Sequence, residues 1–377
     1  MGKRGNGEGS IYKDARGFYR ASLSLPNGKR RSFSGKTREE VATELVKALG
    51  ARNAGLPVPG VRLTTAKYLT DWLEDTVRPT QKPLTYEKYR GVTLNHILPA
   101  IGKVPLSRVG PEHVQKIQTA MTAKGLSPAT IRGMRTTLSA ALSRAERWNL
   151  VPRNPVRLVD APRSEDKEPR VLQPDEATAF LQAARGDDMR NLFATMLATG
   201  LRPGEARGLR WADVKASSIE VRQQVLELKD ETPTTSKRKR ARIRTFGAPK
   251  STHGRRSIPL IPMAQAALQA QRSQVAEMPL RGVQDLVFPG ADGQPLCART
   301  VRDHFARIAR AAGISDATPH TLRHSTGTYL LAAGVPDRIV QAILGHGSAA
   351  VTRQYQHVLP SMLVEAGERL AEFWAAR

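Results

Sequence analysis

Three short stretches place chemically useful side chains at turns or helix starts. In "ATGLRPGEARGL", Arg202 stands directly before Pro203. A residue before proline is pushed toward extended backbone, and proline suits the first helical position. Arg202 is therefore expected at a helix start, just after a helix that ends on Gly200. Helix N-termini attract anions, and a guanidinium there can grip a phosphate through two N–H groups. Glu205, in the first turn, either orients that arginine or complements the helix dipole. In "ATPHTLRHSTGTYLLAAGV", Thr318 is the expected N-cap and Pro319 the first helical residue, so His320 and Arg323 share a face at a second helix start. A neutral histidine beside an arginine suits proton transfer near a bound anion. In "LGHGSAAVTRQYQHV", a helix ending near Gly345 leads to His346 on a turn and to Tyr355 on a short following helix. Gln354 and Gln356 flank Tyr355, whereas Val351 and Val358 fit the buried positions. A phenol ionises at about pH 10, and nearby cations would favour its phenolate. Taken one at a time, each stretch also has an ordinary reading: a surface arginine, a core histidine, a core tyrosine.

A metal centre is the competing chemistry. His320 and His324 lie four apart on one helix, but the glutamate of an H-E-x-x-H site is missing and no carboxylate cluster accompanies them. His324 reads better as a buried structural histidine. No G-x-x-x-x-G-K-[ST] loop is present for a nucleoside triphosphate. Cys297 is the single cysteine, which excludes an intrachain disulfide and a cysteine-based zinc finger.

Elements must position these groups, and the chain of 377 residues has room for several domains. Residues 1–55 are expected to form a small module. "GSIYKDARGFYRASLSLPNGKRRSFSG" alternates around two turn signals, which predicts a three-stranded meander. "TREEVATELVKAL" then predicts a helix with a Thr37/Glu40 capping box and an apolar face of Val41, Leu45, Ala48 and Leu49. After a Gly/Pro break, residues 62–155 read as four helices, the last starting at Ser127-Pro128. Residues 156–169 are rich in proline and charge and read as a linker. Residues 170–377 form the largest domain. "SIEVRQQVLEL" alternates as one strand and "RRSIPLI" as another, and helices are expected at 262–277, 298–312, 319–333, 336–343 and 361–375. Between the two strands, Lys237 to Arg256 holds nine Lys/Arg and no acid, the composition of an exposed, partly disordered hairpin insertion.

Charge points to the partner. Lys+Arg outnumbers Asp+Glu by 59 to 34, a formal charge of +25 with a pI near 10.8. A surplus of that size implies a polyanion such as DNA, RNA or an anionic membrane. No apolar run approaches the roughly 20 residues that span a bilayer, no signal-type apolar core follows "MGKRGNGEGS", and Asn6 breaks the myristoylation pattern. A cytoplasmic nucleic-acid-binding protein without membrane attachment is expected. In the N-terminal module, Arg16, Arg20, Lys29, Arg30 and Arg31 alternate with Tyr12, Phe18 and Tyr19, which favours DNA contact over a merely solvated surface. Lys237, Arg238, Lys239 and Arg240 in the basic insertion are further candidate DNA contacts.

The motifs taken together resemble the tyrosine recombinases of the phage-integrase family. "TGLRPGEARGLRW", "PKSTHGRRSIPL", "HTLRHS", "LGHGS" and "TRQYQHV" stand in that family's order, and the likeness covers the whole chain. It implies a mainly α, multidomain architecture: a β-meander-plus-helix module that binds arm-type DNA, a four-helix SAM-like core-binding domain, and an α+β catalytic domain with a C-terminal tail helix. It implies a site of Arg202, Lys250, His320, Arg323, His346 and Tyr355, with Glu205 supporting. For the lysine, Lys239 or another nearby base competes with Lys250, because the long basic insertion departs from the family's tight hairpin. The implied reaction is site-specific recombination through a covalent 3′-phosphotyrosine, with neither metal nor ATP, to integrate or excise a phage or other mobile element. Implied partners are double-stranded attachment sites, three further copies in a DNA-bound tetramer, and a host DNA-bending factor or excisionase. The amphipathic tail, with Leu363, Ala366, Leu370 and Trp374 on one stripe, is expected to dock on a neighbouring copy. A type IB topoisomerase-like relaxing enzyme and a non-catalytic DNA-binding regulator are the alternatives.

Overall fold

A computed structural model describes residues 10–24, 30–53, 63–163, 168–230, 242–249, 252–278 and 285–346. The chain divides into two compact units, Met1–Glu165 and Asp166–Arg377.

The first unit opens with an antiparallel sheet of β1 (Ser10–Lys13), β2 (Tyr19–Ser24) and β3 (Arg30–Gly35). Asp14 organises the first turn by accepting the N–H groups of Arg16 and Phe18, each at 3.0 Å. Ala21 and Leu23 project from one face of β2 onto Val41, Leu45 and Ala48 of α1 (Arg38–Asn53). That helix starts with the anticipated box: Thr37 Oγ1 accepts the Glu40 N–H at 3.2 Å, and Glu40 Oε2 accepts the Thr37 N–H at 3.3 Å.

Four helical rods follow. α2 runs through Thr65–Asp71, Trp72–Val77 and Arg78–Thr80, and α3 through Pro83–Val92, Thr93–Ile97 and Leu98–Ile101. The middle segment of each is a widened π-helical turn. Each wide turn lies just before a proline, Pro79 or Pro99. A proline ring has no N–H and crowds the carbonyl four residues back, so the turn opens to admit it. α4 (Pro111–Ala123) and α5 (Pro128–Arg147) complete the set, with Ser127 Oγ accepting the Thr130 N–H at the start of α5. Leu69, Leu73, Ile97, Ile101, Ile117, Met134 and Leu138 form their shared core. The expected linker begins later than its composition suggested. Pro155–Leu158 is a short 3-10 turn whose Val156 is buried in this core. Arg135 on α5 donates to the carbonyls of Val156 at 3.1 Å and Asp160 at 3.2 Å.

The second unit packs α6 (Pro174–Ala183), α7 (Arg190–Thr199), α8 (Pro203–Arg207), α9 (Pro262–Ala276), α10 (Ala298–Ala311), α11 (Pro319–Ala332) and α12 (Asp337–Leu344) with four strands. Phe180, Phe193 and Phe305 meet at its centre with ring centroids 4.9–5.8 Å apart. One expectation about the strands is corrected. "SIEVRQQVLEL" is two strands, β4 (Ser218–Val221) and β5 (Gln224–Lys229), broken where the Gln223 amide donates to Gly208 O at 2.8 Å. The basic insertion does contain a hairpin arm, as expected: Arg242–Gly247 forms β6, which pairs antiparallel with β5 from Gln224↔Gly247 to Lys229↔Arg242. β7 (Arg256–Pro259) then pairs with β4. A charged strand at the surface needs only alternate residues to pack, which is how a basic stretch can pair here. The expected tail helix at 361–375 lies outside the described residues.

Candidate active site

The site is assembled where α7 ends, α8 begins, β7 starts and α12 stops. α7 closes on Gly200 in the left-handed conformation, φ +65°. Leu201 is buried, and Arg202 is extended at φ −68°, ψ 149° ahead of Pro203, as the sequence requires. α8 is a single turn, so the guanidinium rather than a helix dipole supplies the positive charge here.

Glu205 is the hub of the site. Its side chain is 1% exposed, and it accepts the Arg202 backbone N–H at 3.0 Å and Arg202 Nη1 at 2.7 Å. It therefore orients Arg202, which settles the choice that the sequence left open. The same carboxylate receives a second guanidinium: Arg256 at the start of β7 donates Nη1 to Oε1 at 3.2 Å and Nη2 to Oε2 at 2.8 Å. Burial alone would raise the carboxyl's pKa, but Arg256 and Arg202 outweigh it and hold the group below the ordinary carboxylate range.

The C-terminal end of α12 draws the arginines together. Helix ends leave carbonyls without intrahelical partners. Here three successive ones are each taken by a different arginine. Ile343 O accepts Arg256 Nε at 2.6 Å, Leu344 O accepts Arg323 Nη2, and Gly345 O accepts Arg202 Nη2 at 3.1 Å. Arg323, on α11, is 1% exposed and also donates Nη1 to Gly200 O at 2.6 Å. Gly345 ends α12 at φ +67°, and a Cβ there would lie 2.7 Å from His253 O. Two guanidiniums thus meet one carboxylate, while the third, Arg323, is held by backbone carbonyls of the same helix ends, so the arginines outnumber the carboxylate by two. That balance suits a phosphate gaining negative charge as it becomes five-coordinate.

The histidines differ in setting. His346 follows directly, its N–H bonded to Gln341 O at 3.1 Å and its side chain buried. Burial, then the charges of Arg323, Arg202 and Arg256 with His324, push its pKa down to about 3, so it is neutral at physiological pH. His320 is exposed at the start of α11, and its ring lies edge-to-face with His324 at 4.7 Å between centroids. His324 is therefore a half-buried neighbour of His320 rather than a fully buried core residue. Among the described residues no group of three His, Cys, Asp or Glu side chains is placed to hold a metal ion.

The structure brings together Arg202, Glu205, Arg323 and His346, with His320 on the same helix as Arg323. Tyr355 and Lys250 lie outside the described residues, as do Lys29, Lys237, Arg238, Lys239 and Arg240. Of the N-terminal bases, Arg16 is exposed in the β1–β2 turn, Arg30 and Arg31 begin β3, and Arg20 is tied to Asp14 at 2.9 Å. Sequence reasoning missed Arg256. A signal was available, because Arg256 is two residues before the buried Ile258 and so shares its strand face.

Known families and proteins resemble this chain along most of its length. The model of the phage integrase family matches residues 170–362, and that of the phage integrase N-terminal SAM-like domain matches residues 64–122. An integrase of Saccharopolyspora erythraea is 27% identical, the alignment covering 98% of this chain and 97% of that protein. A tyrosine recombinase XerC-like protein of Caldanaerobacter subterraneus subsp. tengcongensis is also 27% identical, over 96% of this chain and 98% of that one. The Tn1549 transposon integrase, solved in complex with transposon right end DNA, superposes with a TM-score of 0.67 at 23% identity, covering 82% of this chain and 99% of that one.

Proposed function

Because this chain belongs to the phage integrase family of site-specific tyrosine recombinases, we propose that it cuts and rejoins duplex DNA with Tyr355 as nucleophile. The phenol oxygen attacks the scissile phosphorus, a Tyr355–phosphorus bond forms, and the bond from phosphorus to the 5′-oxygen breaks. The phenol proton leaves through His320, and the departing 5′-oxygen gains its proton from Lys250. Arg202 and Arg323 hold the non-bridging oxygens, and neutral His346 donates a hydrogen bond to the phosphate. The phosphotyrosine link conserves the bond energy, so the reaction draws on neither metal nor ATP. A 5′-hydroxyl from the partner strand reverses the step. Two duplexes exchange four strands, so the working unit is a tetramer on DNA, with the tail after Tyr355 docked on a neighbour. The N-terminal module reads arm-type DNA, and a DNA-bending factor or excisionase sets direction.

The observation that carries this reading is the convergence of Arg202 and Arg323 on the end of α12, directly followed by His346, nine residues before Tyr355. Strand topology favours Lys250 over Lys239: Lys239 falls in the β5–β6 connection, whereas Lys250 falls between β6 and Arg256. The test is a nicked duplex built from the DNA flanking the gene, incubated with the protein in EDTA and quenched with SDS. A stable protein–DNA adduct is expected, lost in Tyr355→Phe while DNA binding persists. An adduct that survives Tyr355→Phe, or one that requires a divalent metal, overturns the mechanism. Recombinant joints, rather than relaxed circles alone, are the expected product on paired substrates.

A further inference from the structure

Arg256 has no part in the strand-transfer steps above, yet it is among the most enclosed charges of the second unit, with a side chain 5% exposed. Its bonding separates it from a phosphate ligand. Four of its five N–H donors are spent inside the protein: Nε on Ile343 O, both Nη1 hydrogens on Gly254 O and Glu205 Oε1, and one Nη2 hydrogen on Glu205 Oε2. Arg202, by contrast, spends two side-chain donors on described residues. What Arg256 grips is the apparatus that aims the other two arginines. It holds Glu205, which orients Arg202, and it holds the carbonyl next to those that receive Arg323 and Arg202.

We propose that Arg256 is a positioning residue that sets Arg202 and Arg323 at the spacing a scissile phosphate requires, by clamping Glu205 and the end of α12 to the start of β7. Arg256 acts only through these neighbours. Lysine replaces it only in part, because a single ammonium lacks the planar fork that meets both carboxylate oxygens while Nε reaches a third acceptor. The inference rests on the phosphoryl-transfer reading of this site.

The experiment compares two nicked duplexes from the DNA flanking the gene, one with an ordinary scissile phosphodiester and one with a methylphosphonate there. The methylphosphonate replaces a charged non-bridging oxygen by a methyl group, so it makes less demand on the arginines. On the phosphodiester, Arg256→Gln should slow adduct formation by about 100-fold, the scale of loss for a misplaced reacting group. Arg256→Lys should slow it by about tenfold on the same argument. Both deficits should shrink severalfold on the methylphosphonate, with duplex affinity near that of the unaltered protein. Equal deficits on the two substrates, or no deficit, overturn the proposal. Arg256→Lys decides by the same ratio if Arg256→Gln does not fold. An unaltered protein that forms no adduct on either duplex refutes the strand-transfer reading itself, a result distinct from failure of the Arg256 variants alone.

Discussion

Arg256 and Glu205 meet through two parallel contacts, 3.2 Å and 2.8 Å, that bind the start of a strand to the helix turn opened by Arg202. Both side chains are almost fully enclosed. Removing the carboxylate leaves enclosed guanidiniums without their counter-charge, which for a buried pair costs about 3–5 kcal/mol. Glu205→Ala should lose stability on that scale in a denaturant titration and form no adduct. Glu205→Gln, isosteric but uncharged, should fall between. A loss below about 1 kcal/mol, the range of an exposed pair, would show that the carboxylate does not hold the site together.

The turn at Gly345 gives a second expectation. Left-handed backbone costs an ordinary residue about 1–2 kcal/mol. At Gly345 a methyl group would also meet His253 O at 2.7 Å and Arg256 Cδ at 3.0 Å. Gly313 has a similar φ of +72° but nothing within 4 Å of an added Cβ. Gly345→Ala should therefore lower the melting temperature more than Gly313→Ala and also slow adduct formation, since it shifts the carbonyls that receive the arginines. Equal effects of the two substitutions would remove the argument.

His346 predicts a pH dependence with a definite sign. Its folded pKa is pushed down to about 3, below its ordinary 6.5. Above pH 6.5 the histidine is neutral in both the folded and unfolded chain and adds no slope. Between 6.5 and 3 the unfolded chain binds a proton that the folded one refuses, so stability falls as pH falls through this window. The melting temperature of His346→Gln should drop less than that of the unaltered protein between pH 6.5 and 4.5. Parallel curves would place the titrating groups elsewhere.

In the N-terminal module the bases are not equivalent. Asp14 already partners Arg20 at 2.9 Å; desolvation would raise the Asp14 carboxyl, but the backbone N–H groups of Phe18 and Arg16, and then Arg20, together hold it below its usual range. Arg16 is exposed in the neighbouring turn. Arg16→Ala should lower the slope of log affinity against log salt by about one, the mark of one lost phosphate contact. Arg20→Ala should change it less. If Arg20→Ala matches Arg16→Ala, the ion pair does not persist on DNA.

The sequence by itself determined the features that depend on a few neighbouring residues. Pro203 forces Arg202 to be extended, Ser127-Pro128 starts α5, Thr37 and Glu40 cap α1, and Gly200 and Gly345 end their helices left-handed. These follow from local sterics and local hydrogen bonds, and they were enough to place Arg202, Arg323 and His346 at element ends. The order of the motifs was enough for the family. Only the tertiary structure decided which side chains share partners. Glu205 meets Arg256 across 51 positions of chain, and Gly200 O meets Arg323 across 123. The split of one alternating run into β4 and β5, and the recruitment of charged residues 242–247 as a strand, were decided by pairing with distant segments. Burial and strand partnership depend on non-local contacts, which periodicity cannot register. For that reason the arginine that organises the others was left unmarked in the sequence, although its neighbour Ile258 already showed which way its side chain had to face.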